Sequence, residues 1–100
     1  MSIRTRIQLA EAVGQVNRWY CSQQFGRQID DPEMLFCYFV KSGGAADFAR
    51  RYTLAMSAEN RSRCSQFYQR EIHDPEVFWN YFNEYGQTSL HSHSRRHAHA

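Results

Sequence analysis

The sequence predicts a single all-α domain of two pseudo-symmetric helical hairpins, four to five helices in all. Three observations predict it. The chain matches itself at an offset of 43 residues, its apolar residues recur at helical spacing, and one helix-start device occurs twice.

The self-match aligns Asn17 to Gly43 with Asn60 to Gly86, giving 13 identities in 27 positions without a gap. Asn17, Arg18, Cys21-Ser22-Gln23, Arg27, Ile29, Asp31-Pro32-Glu33, Tyr38-Phe39 and Gly43 all recur. Chance does not produce this, so an internal repeat is expected, with copies at about residues 3–43 and 45–86. The period suits helical pairs, but a solenoid needs three or more copies to close a core. Two copies are expected instead to pack face to face about a pseudo-twofold axis. The tetratricopeptide and ankyrin signatures are absent.

Each copy reads as a long polar-faced helix, a connector and a shorter aromatic helix. Ile3, Ile7, Ala10, Val13 and Tyr20 form the stripe of the first long helix, which Phe25-Gly26 ends. Asp31-Pro32-Glu33 then starts a helix: Asp caps free amides, Pro at the first helical position loses no hydrogen bond, and Glu suits the positive dipole end. Asp74-Pro75-Glu76 repeats the device. The second helix carries Leu35, Tyr38, Phe39 and Ser42 on one face in the first copy, and Phe78, Tyr81, Phe82 and Tyr85 in the second. Residues 34–40, apolar almost all round, are expected to be the more buried of the two. Gly43 and Gly86 end these helices, and Gly43-Gly44 is the hinge between copies. Ser57 is a candidate N-cap that breaks the long helix of the second copy near Met56.

Composition narrows the function. Of 12 basic residues, two lie in the Ser-, His- and Arg-rich segment 87–100, so residues 1–86 balance to zero charge. A surface devoted to nucleic acid carries a larger basic surplus. Segment 87–100 is expected to be a flexible, disordered polar tail. No run is long and apolar enough for a signal peptide or a membrane span, so a cytoplasmic protein without a membrane partner is expected. Cys21, Cys37 and Cys64 have no CxxC spacing and read as reduced thiols.

Candidate sites follow from residue type. Catalysis by a thiol needs a base, and His73, the one histidine before the tail, is not placed against Cys64 by the sequence. With no Walker, Rossmann, nucleophile-elbow or zincin motif, a non-enzyme without a cofactor is expected. His91, His93, His97 and His99 offer imidazoles to a metal, but nothing preorganises them, so no metal site is assigned. Phe36 and Trp79 lie beside the aromatic stripes and Tyr85 ends one of them, and a domain of this size has too little volume to cover 15 aromatics. They are expected to anchor a protein partner or a second copy, with Arg18 and Arg61 at a polar rim. The resulting expectation is a small regulatory or adaptor protein, working as a homodimer. The rival is a DNA-binding regulator. Residues 46–54 followed by a polar helix look like a helix-turn-helix, with Arg50, Arg51, Arg61 and Arg63 available to phosphates. Thr53 at the turn and Glu59 in the second helix depart from that pattern.

Overall fold

A computed structural model describes residues 1–86, all of it helix and short connection. Among the described residues there are six α-helices and no strand. They are α1 (Ile3–Ala12), α2 (Gln15–Phe25), α3 (Pro32–Lys41), α4 (Gly44–Ala55), α5 (Ala58–Tyr68) and α6 (Pro75–Tyr81), with one π-helical turn over Phe82–Gly86. The expected count of four to five falls short because the first long helix is broken at Val13-Gly14, as the second is at Met56-Ser57. The expected stripe breaks with it: Val13 is exposed, and the inward residues are Ile7, Ala12, Asn17 and Cys21.

The chain forms two compact units, one from Met1 to Phe48 and one from Ala49 onward. In the first, α1, α2 and α3 pack against one another. Its core is Cys21, Ile29 and Leu35, with Met34 and Tyr38 packed on it. In the second, α5, α6 and the π turn pack together around Cys64, Ile72, Phe78 and Tyr81, flanked by Met56 and Val77. The sequence placed the deeper helix in the first unit, and the structure reverses this. Val40 and Cys37 of α3 are exposed, whereas α6 buries Phe78, Trp79 and Tyr81. An apolar residue on the outer side of a helix stays in water when no element covers it.

Caps set the helix starts. Ser2 and Ser57 accept hydrogen bonds from the amides of Thr5 and Asn60, and Asp31 and Asp74 accept from those of Glu33 and Glu76. Gly14 caps α2 with no side chain. A Cβ there would lie 3.1 Å from the carbonyl oxygen of Ala10 and 3.2 Å from that of Glu11, so the chain passes too close for a larger residue to fit without a shift.

Inside each unit one buried amide ties three segments. Asn17 Nδ2 donates to the carbonyl of Ala12 at 2.8 Å and to that of Leu35 at 3.1 Å. Ala12 is the last residue of α1, whose carbonyl has no partner in its own helix. Asn60 Nδ2 makes the same pair of bonds, to Ala55 at 2.8 Å and Phe78 at 3.2 Å. Replacing Asn60 with Ala leaves the Ala55 carbonyl without a partner and removes the bond that ties α5 to the Phe78 carbonyl, which keeps the Phe82 amide. Unfolding by urea should show a loss of about 2–3 kcal/mol, and Asn17→Ala should match it. An unchanged midpoint in both would show that the amides do not hold the units.

The helix ends differ in one respect. Gly26 closes α2 in the left-handed conformation at φ 70°, where glycine carries no steric penalty. Gln69 closes α5 in the same region at φ 55°. Gln69→Gly should therefore raise the urea midpoint, by about 0.5–1 kcal/mol after the extra freedom of the unfolded chain is counted.

Candidate functional site

Two surfaces stand out, one in each unit. In the second unit α5 ends with Phe67 and Tyr68 side by side, their rings edge to face at 5.0 Å. The π turn that continues α6 brings Tyr85 beside them: its ring lies 4.8 Å from Phe67 and 5.4 Å from Tyr81. Tyr81 also reaches Phe67 at 5.4 Å and forms the buried floor of the cluster. Phe67, Tyr68 and Tyr85 remain 51%, 42% and 43% exposed. The neighbouring Glu84 carboxylate, aided by burial and by Tyr68 and Tyr81, pushes the Tyr85 phenol above its ordinary pKa, so it stays neutral. The turn itself needs glycine at its end. A Cβ on Gly86 would fall 2.9 Å from the Phe82 ring and 3.1 Å from Asn60 Oδ1.

In the first unit an open groove of about 680 Å³, its lining polar and apolar in about equal parts, runs between α2 and the connector from Gly26 to Asp30. Its floor includes buried Ile29, whose amide donates to Ser22 Oγ at 3.0 Å. Arg18 and Gln28 both hydrogen-bond the Asp30 carboxylate and hold its pKa below the usual range, Arg18 more strongly. Trp19 lies at the groove, 58% exposed, with Tyr20 edge-on at 5.0 Å. The second unit has a smaller cleft of about 370 Å³ at the corresponding place, lined in part by Arg61, Ser65 and Ile72.

The expected anchors divide. Tyr85 is exposed and sits in the aromatic cluster; Phe36 is half-buried. Trp79 is the correction. It is 8% exposed, with Tyr52 at 6.0 Å and the Arg51 guanidinium over its ring at 5.2 Å. Asn83 clamps this corner, accepting from Arg51 at 3.1 Å and donating to the Trp79 carbonyl at 2.8 Å. Trp79 thus packs within its unit and is not presented outward. Arg18 and Arg61 are exposed, but Arg18 pairs with Asp30 and Arg61 Nε donates to the Met56 carbonyl at 3.1 Å.

For the rival reading, α4 runs unbroken through Thr53 to Ala55, so the turn falls at Met56-Ser57 and not where the pattern put it. Arg63 pairs with Glu59 at 2.8 Å and Arg51 is engaged with Trp79 and Asn83; Arg50 is exposed. No group of three His, Cys, Asp or Glu among the described residues is set to hold a metal. His91, His93, His97 and His99 lie outside the described residues. His73 is exposed in the connector and faces Glu71 at 3.5 Å. No described helix is long and apolar enough to cross a membrane.

Sequence reading missed Trp19, Phe67 and Tyr68 because each stands outside the aligned stripes, opposite Ser62, Gln24 and Phe25 of the other copy. Departure from the repeat, an aromatic residue facing a polar one in its counterpart, was the available signal for Trp19 and Phe67. Tyr68 faces another aromatic and gave none. The chain matches no known family model, no curated protein and no solved structure.

The thiols offer a direct check of the geometry. Cys21 and Cys64 are buried, which pushes both pKa values up, Arg27 and Arg70 respectively opposing it; Cys37 is exposed. A thiol-reactive dye at neutral pH should therefore label Cys37 alone in the folded protein and all three cysteines in urea, read by mass spectrometry.

Proposed function

We propose that this chain is a small non-enzymatic adaptor or regulatory protein. It acts by protein–protein binding as a homodimer, and the aromatic patch of its second unit is the contact surface. The observation that carries the reading is the stack of Phe67, Tyr68 and Tyr85, three rings within 5.0 Å of a neighbour yet each at least 42% exposed. Aromatic side chains clustered in water are unfavourable in a monomer and supply most binding energy when covered.

Duplication of an ancestral helical unit supports this reading by separating frame from surface. Of the residues shared by the copies, Asn60, Cys64, Ile72, Tyr81 and Phe82 are buried. The patch residues stand opposite Gln24, Phe25 and Ser42, so the full trio belongs to one copy only. Three unbridged thiols agree with a reducing compartment such as the cytoplasm. A DNA-binding role has less support, since Arg51 and Arg63 are already engaged by groups of their own unit.

Sedimentation of the full chain across a concentration series is the test. The wild type should self-associate, and Phe67→Ala/Tyr85→Ala should weaken the dimer at least about tenfold while helical circular dichroism is unchanged. A wild type that stays monomeric at every concentration, or a double variant that dimerises as well as wild type, overturns the assignment.

A further inference from the structure

We propose that the groove of the first unit binds a neutral carbohydrate, with Trp19 as the stacking platform and Asp30 as the fixed acceptor for sugar hydroxyls. The argument starts from α2. Gln15, Trp19 and Gln23 recur every four residues and so share one face of the helix, the face that borders the groove. Trp19 offers an apolar ring in water, and its electron-rich face suits the C–H face of a pyranose. The same groove is lined by a carboxylate that is already oriented. Arg18 donates to Asp30 Oδ1, and Gln28 Nε2 reaches Oδ2 at 3.0 Å and Oδ1 at 3.3 Å. A carboxylate has about four acceptor positions, so capacity remains after these bonds.

The ligand must satisfy all of these groups together. An apolar molecule would strip water from the amides of Gln15 and Gln23 and from the remaining acceptor positions of Asp30 without replacing it, which is costly. An anionic ligand could call only on Arg27, because Arg18 is already paired with Asp30, and it would meet the Asp30 charge in the same groove. A sugar brings a C–H face for the indole, and hydroxyls that both donate and accept for the planar amides and the carboxylate. At about 680 Å³ the groove has room for a disaccharide.

The second unit provides an internal contrast. Its cleft keeps the counterparts of Arg18, Ser22 and Ile29, but Ala58, Ser62, Glu71 and His73 replace Gln15, Trp19, Gln28 and Asp30. The frame therefore exists without the stacking ring, and its carboxylate, Glu71, stands in the place of Gln28 beside His73. Trp19→Ser is a substitution that the other unit already carries, so it leaves the frame intact.

The test is nuclear magnetic resonance of the full chain titrated with maltose, cellobiose or N,N′-diacetylchitobiose. At least one should shift the Trp19 indole N–H saturably, with a Kd on the order of 1 mM, while the buried Trp79 indole stays put. Trp19→Ser should abolish binding with an unchanged melting curve, and Asp30→Asn should weaken it about tenfold. The proposal is overturned if no sugar shifts Trp19 in a saturable way. It is equally overturned if an oligothymidylate shifts Trp19 while the sugars are silent, which would assign the groove to stacked bases.

Discussion

The structure depends on a buried amide in the first turn of a polar helix. Asn17 occupies a position where α2 still has amides without helical partners, and its side chain spends both N–H donors on other helices. One goes to the last carbonyl of α1, which would otherwise be buried and unbonded. The other goes to a carbonyl in the second turn of α3. A single planar group therefore sets the angle at which the chain turns from α1 into α2 and the height at which α3 packs. Asn60 imposes the same geometry on Ala55 and Phe78, with distances that differ by no more than 0.1 Å. An apolar residue of similar size would bury more carbon but specify neither angle, because dispersion is non-directional and a hydrogen bond is not.

From that constraint the rest of each unit follows. The left-handed residue after α2 or α5 reverses the chain, and the connector drops Ile29 or Ile72 into the core. Asp-Pro-Glu then restarts a helix within one residue, since the proline needs no amide partner and the aspartate accepts from the glutamate amide. The groove and its smaller counterpart are by-products of this path: a connector held off the helix by a buried isoleucine leaves a space beside α2 or α5. The side chains on the rim of that space decide what it does.

Much of this was legible in the sequence. The helical class, the two Asp-Pro-Glu starts and the Ser57 cap follow from residue chemistry and spacing. The break at Gly14 was not, because a glycine inside a periodic stretch reads as tolerated, and only the close approach of the Ala10 and Glu11 carbonyls shows it as a cap. Trp79 was misplaced for a related reason. A residue beside the stripe is normally exposed, but the π turn after α6 and the stack of Tyr52 and Arg51 widen the covered face. Tyr85 was found because it belongs to the stripe; Phe67 was missed because its own helix is polar around it.

A domain of this size cannot cover every large side chain, so exposure alone does not mark a site. What separates Trp19, Phe67 and Tyr85 from incidental exposure is their relation to the frame. Val13, Val16 and Val40 are exposed too, but they are small aliphatic side chains with neither a ring to stack nor a polar group to orient a ligand. Trp19 lines the same groove as a carboxylate fixed by two donors, and Phe67 and Tyr85 lie within ring-contact distance of each other over a buried tyrosine. Each has its geometry set in advance by neighbours that the fold already holds, so a ligand or partner covering it would lose little further freedom on binding. Preorganisation of this kind singles out one surface in each unit.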